Sequence, residues 1–127
     1  MKKIIILTTF LLSFLFSFSQ DVFFGKAYLL YNAESDGNEL VWNEYPTKCD
    51  ILVQIEDQIL TIYTQKIQKY KIVSLKENEV TVTKYLAVNS DGVYCFLYIG
   101  QYGESNDIGI TVEFNDLGWT YVVTEDD

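Results

Sequence analysis

Histidine is absent from the chain, and that absence bounds its chemistry more tightly than any residue present. It removes Ser-His-Asp and Cys-His nucleophiles, histidine-ligated zinc and the commonest general base at neutral pH. The groups left are eighteen Asp and Glu, two cysteines, ten Tyr and two Trp. Two carboxylates converging in a cleft can hydrolyse a glycosidic bond. The sequence selects no such pair, because Asp91 and Asp116 sit where turns are expected and Glu113 lies on the solvent face of a strand. A small secreted hydrolase is the third reading, behind two non-enzymatic ones, and no catalytic residue is assigned.

One stretch has the spacing of a metal loop. Asn32, Glu34 and Asp36 alternate as oxygen donors ahead of Gly37, like the opening of a calcium-binding loop. The first donor is Asn instead of Asp, and the twelfth position is Asn43 where a bidentate Glu is needed. The expectation is a solvated acidic loop, with no metal and no cofactor.

Cys49 and Cys95 are an even pair, which in an exported chain reads most simply as a disulfide. Such a bridge would close a loop of about 47 residues and stabilise the fold by roughly 4 kcal/mol. Strand parity puts Cys49 with Ile51 and Val53, and Cys95 with Val93 and Leu97, so both thiols should point inward. The alternative is two buried thiols that never meet.

Aromatic residues supply the candidate binding surface. Tyr94, Phe96 and Tyr98 occupy one face of a strand whose other face is Cys95, Leu97 and Ile99, and Trp119 lies two strands further on. Tyr and Trp suit wet-edged ligand mouths and interfaces, because the ring buries while the polar tip finds a partner. Cross-strand packing, a site for a small hydrophobic ligand or peptide, and a protein interface all fit this pattern.

These residues need a frame, and the frame begins after an export signal. Lys2 and Lys3 precede an apolar run over residues 4–18 broken only by Ser and Thr, with Ser17 and Ser19 as the small residues before a cut at Gln20. The run is shorter than the ~20 residues that span a bilayer, so residues 1–19 read as a cleaved signal peptide. No cysteine lies near the cut to carry a lipid. The expected location is the periplasm or the cell exterior. Residues 20–127 then form one domain of seven Lys and eighteen acids, a net charge of −11. Phosphate backbones and anionic lipid repel such a chain, so neither nucleic acid nor insertion into a membrane after signal removal is expected.

Within the domain, Cys49 to Val73 is the clearest architectural signal. Ile51, Val53 and Ile55 alternate with Leu52, Gln54 and Glu56, a reversal follows at residues 56–58, and two more β-rich runs complete a meander. Further strands are expected at residues 22–31, 80–88, 93–99, 108–114 and 117–123, with a brief edge strand at Leu40 to Trp42. Asn89-Ser90-Asp91-Gly92 is a strong hairpin signal, and Lys76-Glu77-Asn78 reads as a polar turn. The fold class is all-β: one antiparallel sandwich or small barrel of seven or eight strands.

The Lys-Lys start, the leader ending Phe16-Ser17-Phe18-Ser19-Gln20 and the Ile/Lys/Tyr/Asn-rich remainder resemble small exported proteins of the Bacteroidota, many of them single all-β domains and some lipocalin-like. That resemblance implies fold and export but carries no site residue. The leading expectation is a non-enzymatic binding module engaging a small hydrophobic ligand, peptide or protein through Tyr94, Phe96, Tyr98 and Trp119. The second is a structural envelope-associated β-domain whose aromatics fill its core.

Overall fold

A computed structural model describes residues 22–103 and 106–125, so the expected signal peptide and its cut lie outside the described residues. Every regular element in it is a strand: β1 (Val22–Ser35), β2 (Leu40–Trp42), β3 (Thr47–Glu56), β4 (Ile59–Ile62), β5 (Gln68–Asn78), β6 (Val82–Asn89), β7 (Tyr94–Gln101), β8 (Ile108–Glu113) and β9 (Leu117–Glu125). From β3 to β9 each strand pairs antiparallel with the next, β3 also pairs with β1, and β9 returns to β1. Eight strands therefore close into a barrel. β2 is a ninth strand, held by β1 alone on the edge that β3 occupies lower down.

Period-two alternation decides what faces the barrel axis. Cross-strand rows such as Tyr85↔Leu97↔Val112↔Trp119 and Thr83↔Ile99↔Ile110↔Tyr121 stack inward. Val53, Leu60, Ile62, Leu97, Ile110 and Val112 are fully excluded from solvent, each side chain contributing about 1.5–3 kcal/mol by burial. An eight-stranded barrel is just wide enough for such side chains to fill it. Between its ends the interior is core.

The first strand is apolar on both parities for a local reason. A bulge at Tyr28 shifts the register of β1 against both β3 and β9, so Ala27 before it and Leu30 after it both face inward. The strand also runs on to Ser35, into residues expected to be loop. The polar turn expected at residues 76–78 is instead the end of β5, carried through two further register shifts, and the chain reverses after Asn78. The inward face of β6 is Thr83, Tyr85 and Ala87. Thr83 is buried because its Oγ1 donates to Asn78 Oδ1 at 3.1 Å. Asp57 and Gln58, at φ 56° and 66°, form the two-residue turn between β3 and β4, which matches the twist of a hairpin.

The expected disulfide is not formed: Cys49 and Cys95 are free thiols. Parity was right, since Cys95 is buried and Cys49 packs against the same core. Topology separates them. β3 and β7 are four places apart in a ring of eight, on opposite walls, whereas a bridge needs Cα atoms within about 7 Å.

Candidate functional site at the barrel mouth

The connections β1–β2, β4–β5, β6–β7 and β8–β9 all fall at one end of the barrel. β4 stops at Ile62 while β5 begins at Gln68, so residues 63–67 form a loop along the rim. A groove of ≈ 480 Å³ opens between this loop and the β6–β7 turn at Asn89, Ser90 and Asp91, with Tyr70, Phe114 and Trp119 in its lining.

The floor is aromatic. Phe114 lies between two rings, 5.8 Å from Trp119 and 6.5 Å from Tyr70, both tilted. Gln68 ties the polar tips together. Its Oε1 accepts from the Tyr70 hydroxyl, while its Nε2 reaches Thr64 Oγ1 at 3.2 Å and the Tyr121 hydroxyl at 3.3 Å. Thr64 in turn donates to the Lys66 carbonyl at 2.7 Å, a bond within the rim loop. Trp119 Nε1 is buried. A hydrogen bond from the indole to the Tyr70 hydroxyl opposes in part the burial that pushes that hydroxyl well above its usual pKa. Burial likewise raises Tyr121, and it pushes the Cys95 thiol up to about 11. These groups stay protonated at neutral pH, so the floor is neutral. The only lining charges are Lys66, Lys69 and Asp91, all exposed.

A second groove, ≈ 580 Å³, lies on the outer wall among Leu40, Trp42, Tyr94, Phe96, Glu113 and Asn115. Trp42 can lie flat there because β9 offers Gly118: a methyl group at that position would meet the indole and Leu40 at 3.3 Å. Next to it Lys84 Nζ stands 4.3 Å over the Phe96 ring and 5.4 Å over Tyr98, and the Tyr98 hydroxyl donates to Glu113 at 3.2 Å.

The four residues singled out from the sequence therefore divide. Tyr94, Phe96 and Tyr98 are on the outside of β7, and Trp119 is inside the mouth; only Phe114 borders both grooves. Gln68, Tyr70, Phe114 and Tyr121 were not singled out, although Tyr121 shares the parity of Trp119. Trp42 sits in a three-residue strand inside an apparent loop, where no periodicity could flag it.

The Asn32 to Glu39 stretch is a strand end and a turn. Asp36 Oδ1 accepts from the backbone N–H groups of Asn38 and Glu39, which lowers the Asp36 pKa. Among the described residues no three acidic or thiol groups converge on a metal position, and no helix is long and apolar enough to cross a membrane. At the far end of the barrel Asp107 accepts from the Tyr28 hydroxyl and from Thr124, pinning the β7–β8 connection against β1 and β9.

Fold and site together define a small closed antiparallel barrel, side-chain-filled at its waist and open at one aromatic mouth. Comparison of the chain with protein-family models, with curated proteins and with solved structures finds no match.

Proposed function

We propose that the chain is an exported, non-enzymatic binding module that receives a small apolar molecule at the open end of its barrel. The observation that carries this reading is the ≈ 480 Å³ groove with Phe114, Tyr70 and Trp119 in its lining, a size within the roughly 300–1,000 Å³ of small-molecule sites. Export rests on the Lys-Lys leader and the small residues before Gln20. A peptide or protein partner belongs instead to the outer groove, where Tyr94 is 61% exposed beside Trp42.

The second reading is a structural domain of the cell envelope. It is favoured by the packed barrel waist, where Leu97 and Ile110 have no water-accessible surface and Tyr85 is buried beside them. Native mass spectrometry of protein exported by its own leader and gently purified separates the two. A co-purifying small mass supports the binding module. A bare monomer that also fails to take up any apolar probe favours the structural domain.

A further inference from the structure

The outer groove is built on one cross-strand row. Trp42 of β2 pairs with Ala33 of β1, Ala33 with Gly118 of β9, Gly118 with Glu113 of β8, and Glu113 with Phe96 of β7. Residues opposite each other in a ladder share a face of the sheet, so all of these project outward. The Trp42 ring reaches past Ala33 to Gly118, and Ala33 is only 3% exposed although it faces out. One side of the indole thus lies against the wall, while the residue keeps 37% of its surface open to solvent. Glu113 stands on the strand beyond Gly118, about 4.8 Å further along the row, with Phe96 on its far side.

Glu113 is the one charged residue in the lining of this groove. Its carboxylate accepts from the Tyr98 hydroxyl at 3.2 Å and forms no ion pair among the described residues. Lys84 Nζ is held over Phe96 and Tyr98, at 4.3 and 5.4 Å, so those rings already carry a cation while Trp42 and Tyr94 carry none. The rim adds negative charge. Glu39 precedes Leu40 and Asp116 follows Asn115, and the Ser35 N–H donates to the Asp116 carbonyl at 3.0 Å, which joins the Glu34 and Asp36 segment to the β8–β9 turn.

An open aromatic face beside a carboxylate, with more acids around it, suits a cation. Shape narrows the choice. A lysine ammonium is a compact, strongly hydrated point charge, whereas a planar guanidinium can stack on an indole and turn its N–H edge to a carboxylate. The chain contains no Arg, so a second copy cannot supply that group, and the strong negative charge of the domain opposes self-association.

We infer that the outer groove docks an arginine side chain of a different polypeptide, its guanidinium laid on Trp42 and hydrogen-bonded to Glu113. This site is separate from the mouth and does not depend on the mouth binding anything.

Four acetylated and amidated peptides test it, Gly-Leu-X-Leu-Gly with X as Arg, Lys, Gln or Glu. Each is titrated at low salt into ¹⁵N-labelled protein and followed by ¹H–¹⁵N NMR, with Trp42→Phe identifying the two indole N–H signals. The Arg peptide is expected to bind about tenfold tighter than the Gln peptide, the magnitude of one hydrogen bond to a charged group, and tighter than the Lys peptide. It should shift the Trp42 indole and the amides of Phe96 and Glu113 while the Trp119 indole stays still. Added salt at about 0.5 M should remove most of the preference. In Glu113→Gln, which keeps an acceptor for Tyr98, the Arg and Gln peptides should bind alike. The wild-type comparison stands by itself should that variant fold poorly. Equal binding of the Arg and Gln peptides, or of the Arg and Lys peptides, overturns the inference. So does tighter binding of the Glu peptide, or an Arg preference that survives Glu113→Gln. Shifts confined to the Trp119 indole would put the peptide in the mouth and overturn it as well, as would no binding by any of the four.

Discussion

Trp42 and Trp119 stand on opposite faces of the same wall: Trp42 lies against Gly118 from outside, and the next residue along β9 turns its indole into the mouth. The two fluorophores therefore report two separate surfaces. In Trp42→Phe the remaining emission should be blue-shifted and poorly quenched by iodide. In Trp119→Phe it should be red-shifted and readily quenched. Gly118→Ala should push Trp42 off the wall by a few tenths of an ångström and cost about 1 kcal/mol, with a change in Trp42 emission and none in Trp119. A Trp119 signal quenched by iodide as readily as that of Trp42 would contradict the placement of the mouth.

Opposite-wall thiols have a plain chemical signature. With Cys49 and Cys95 unbridged, reductant should leave the melting temperature unchanged, whereas losing a bridge worth roughly 4 kcal/mol would lower it by well over 5 °C. Burial raises the Cys95 thiol to about 11, so little reactive thiolate exists at pH 8. Iodoacetamide should therefore modify Cys95 only after denaturant is added, as read by intact mass. Rapid labelling of Cys95 in the native protein would refute the buried placement.

Alkaline pH should loosen the barrel. Tyr85 is held neutral by burial, its pKa pushed up to about 12 from an unfolded value near 10. Below pH 10 both states keep the proton and the contribution is fully present. Between pH 10 and 12 the unfolded chain loses the proton first, so stability falls as pH rises, by about 2–3 kcal/mol for this one residue. Urea unfolding at pH 9, 10 and 11 should show the midpoint dropping, and a midpoint that is flat or rising would contradict the burial of Tyr85.

Neighbouring positions on a strand should differ sharply in tolerance. Leu97→Ala removes a side chain with no exposed surface from the packed waist and should cost about 2–5 kcal/mol. That corresponds to a melting temperature lower by roughly 10 °C or more. Leu52→Ala, on an outward face and 48% exposed, should stay within about 1 kcal/mol. Thermal unfolding of the two variants side by side is the check.

The strands were legible because most carry β-branched or aromatic residues at strict alternation, as β3, β7 and β8 do. What misled was local. At β1 the Tyr28 bulge places Ala27 and Leu30 on the same side, so no single parity could describe the strand. At β5 the run Lys76-Glu77-Asn78 is polar yet paired with β6, because two register shifts turn it along the barrel rim. The site was only partly legible. Parity identifies Trp119 and Tyr121 as inward and Tyr94, Phe96 and Tyr98 as outward relative to Cys95, but a sequence does not state that the sheet closes. Closure is what separates inside from outside, sets Cys49 and Cys95 across the barrel, and brings Gln68 from β5 to Tyr121 of β9.

The β1–β9 ladder, nine residue pairs from Gly25↔Glu125 to Glu34↔Leu117, joins positions some hundred residues apart in the chain. Contacts that distant form late, because the loop they close must first be ordered at an entropic cost. Until residues 117–125 have been synthesised and released, the remaining strands are an open sheet with two bare edges and no mouth. The topology thus keeps the sheet from locking early, and the closed wall and its mouth come into being together, at the final strand.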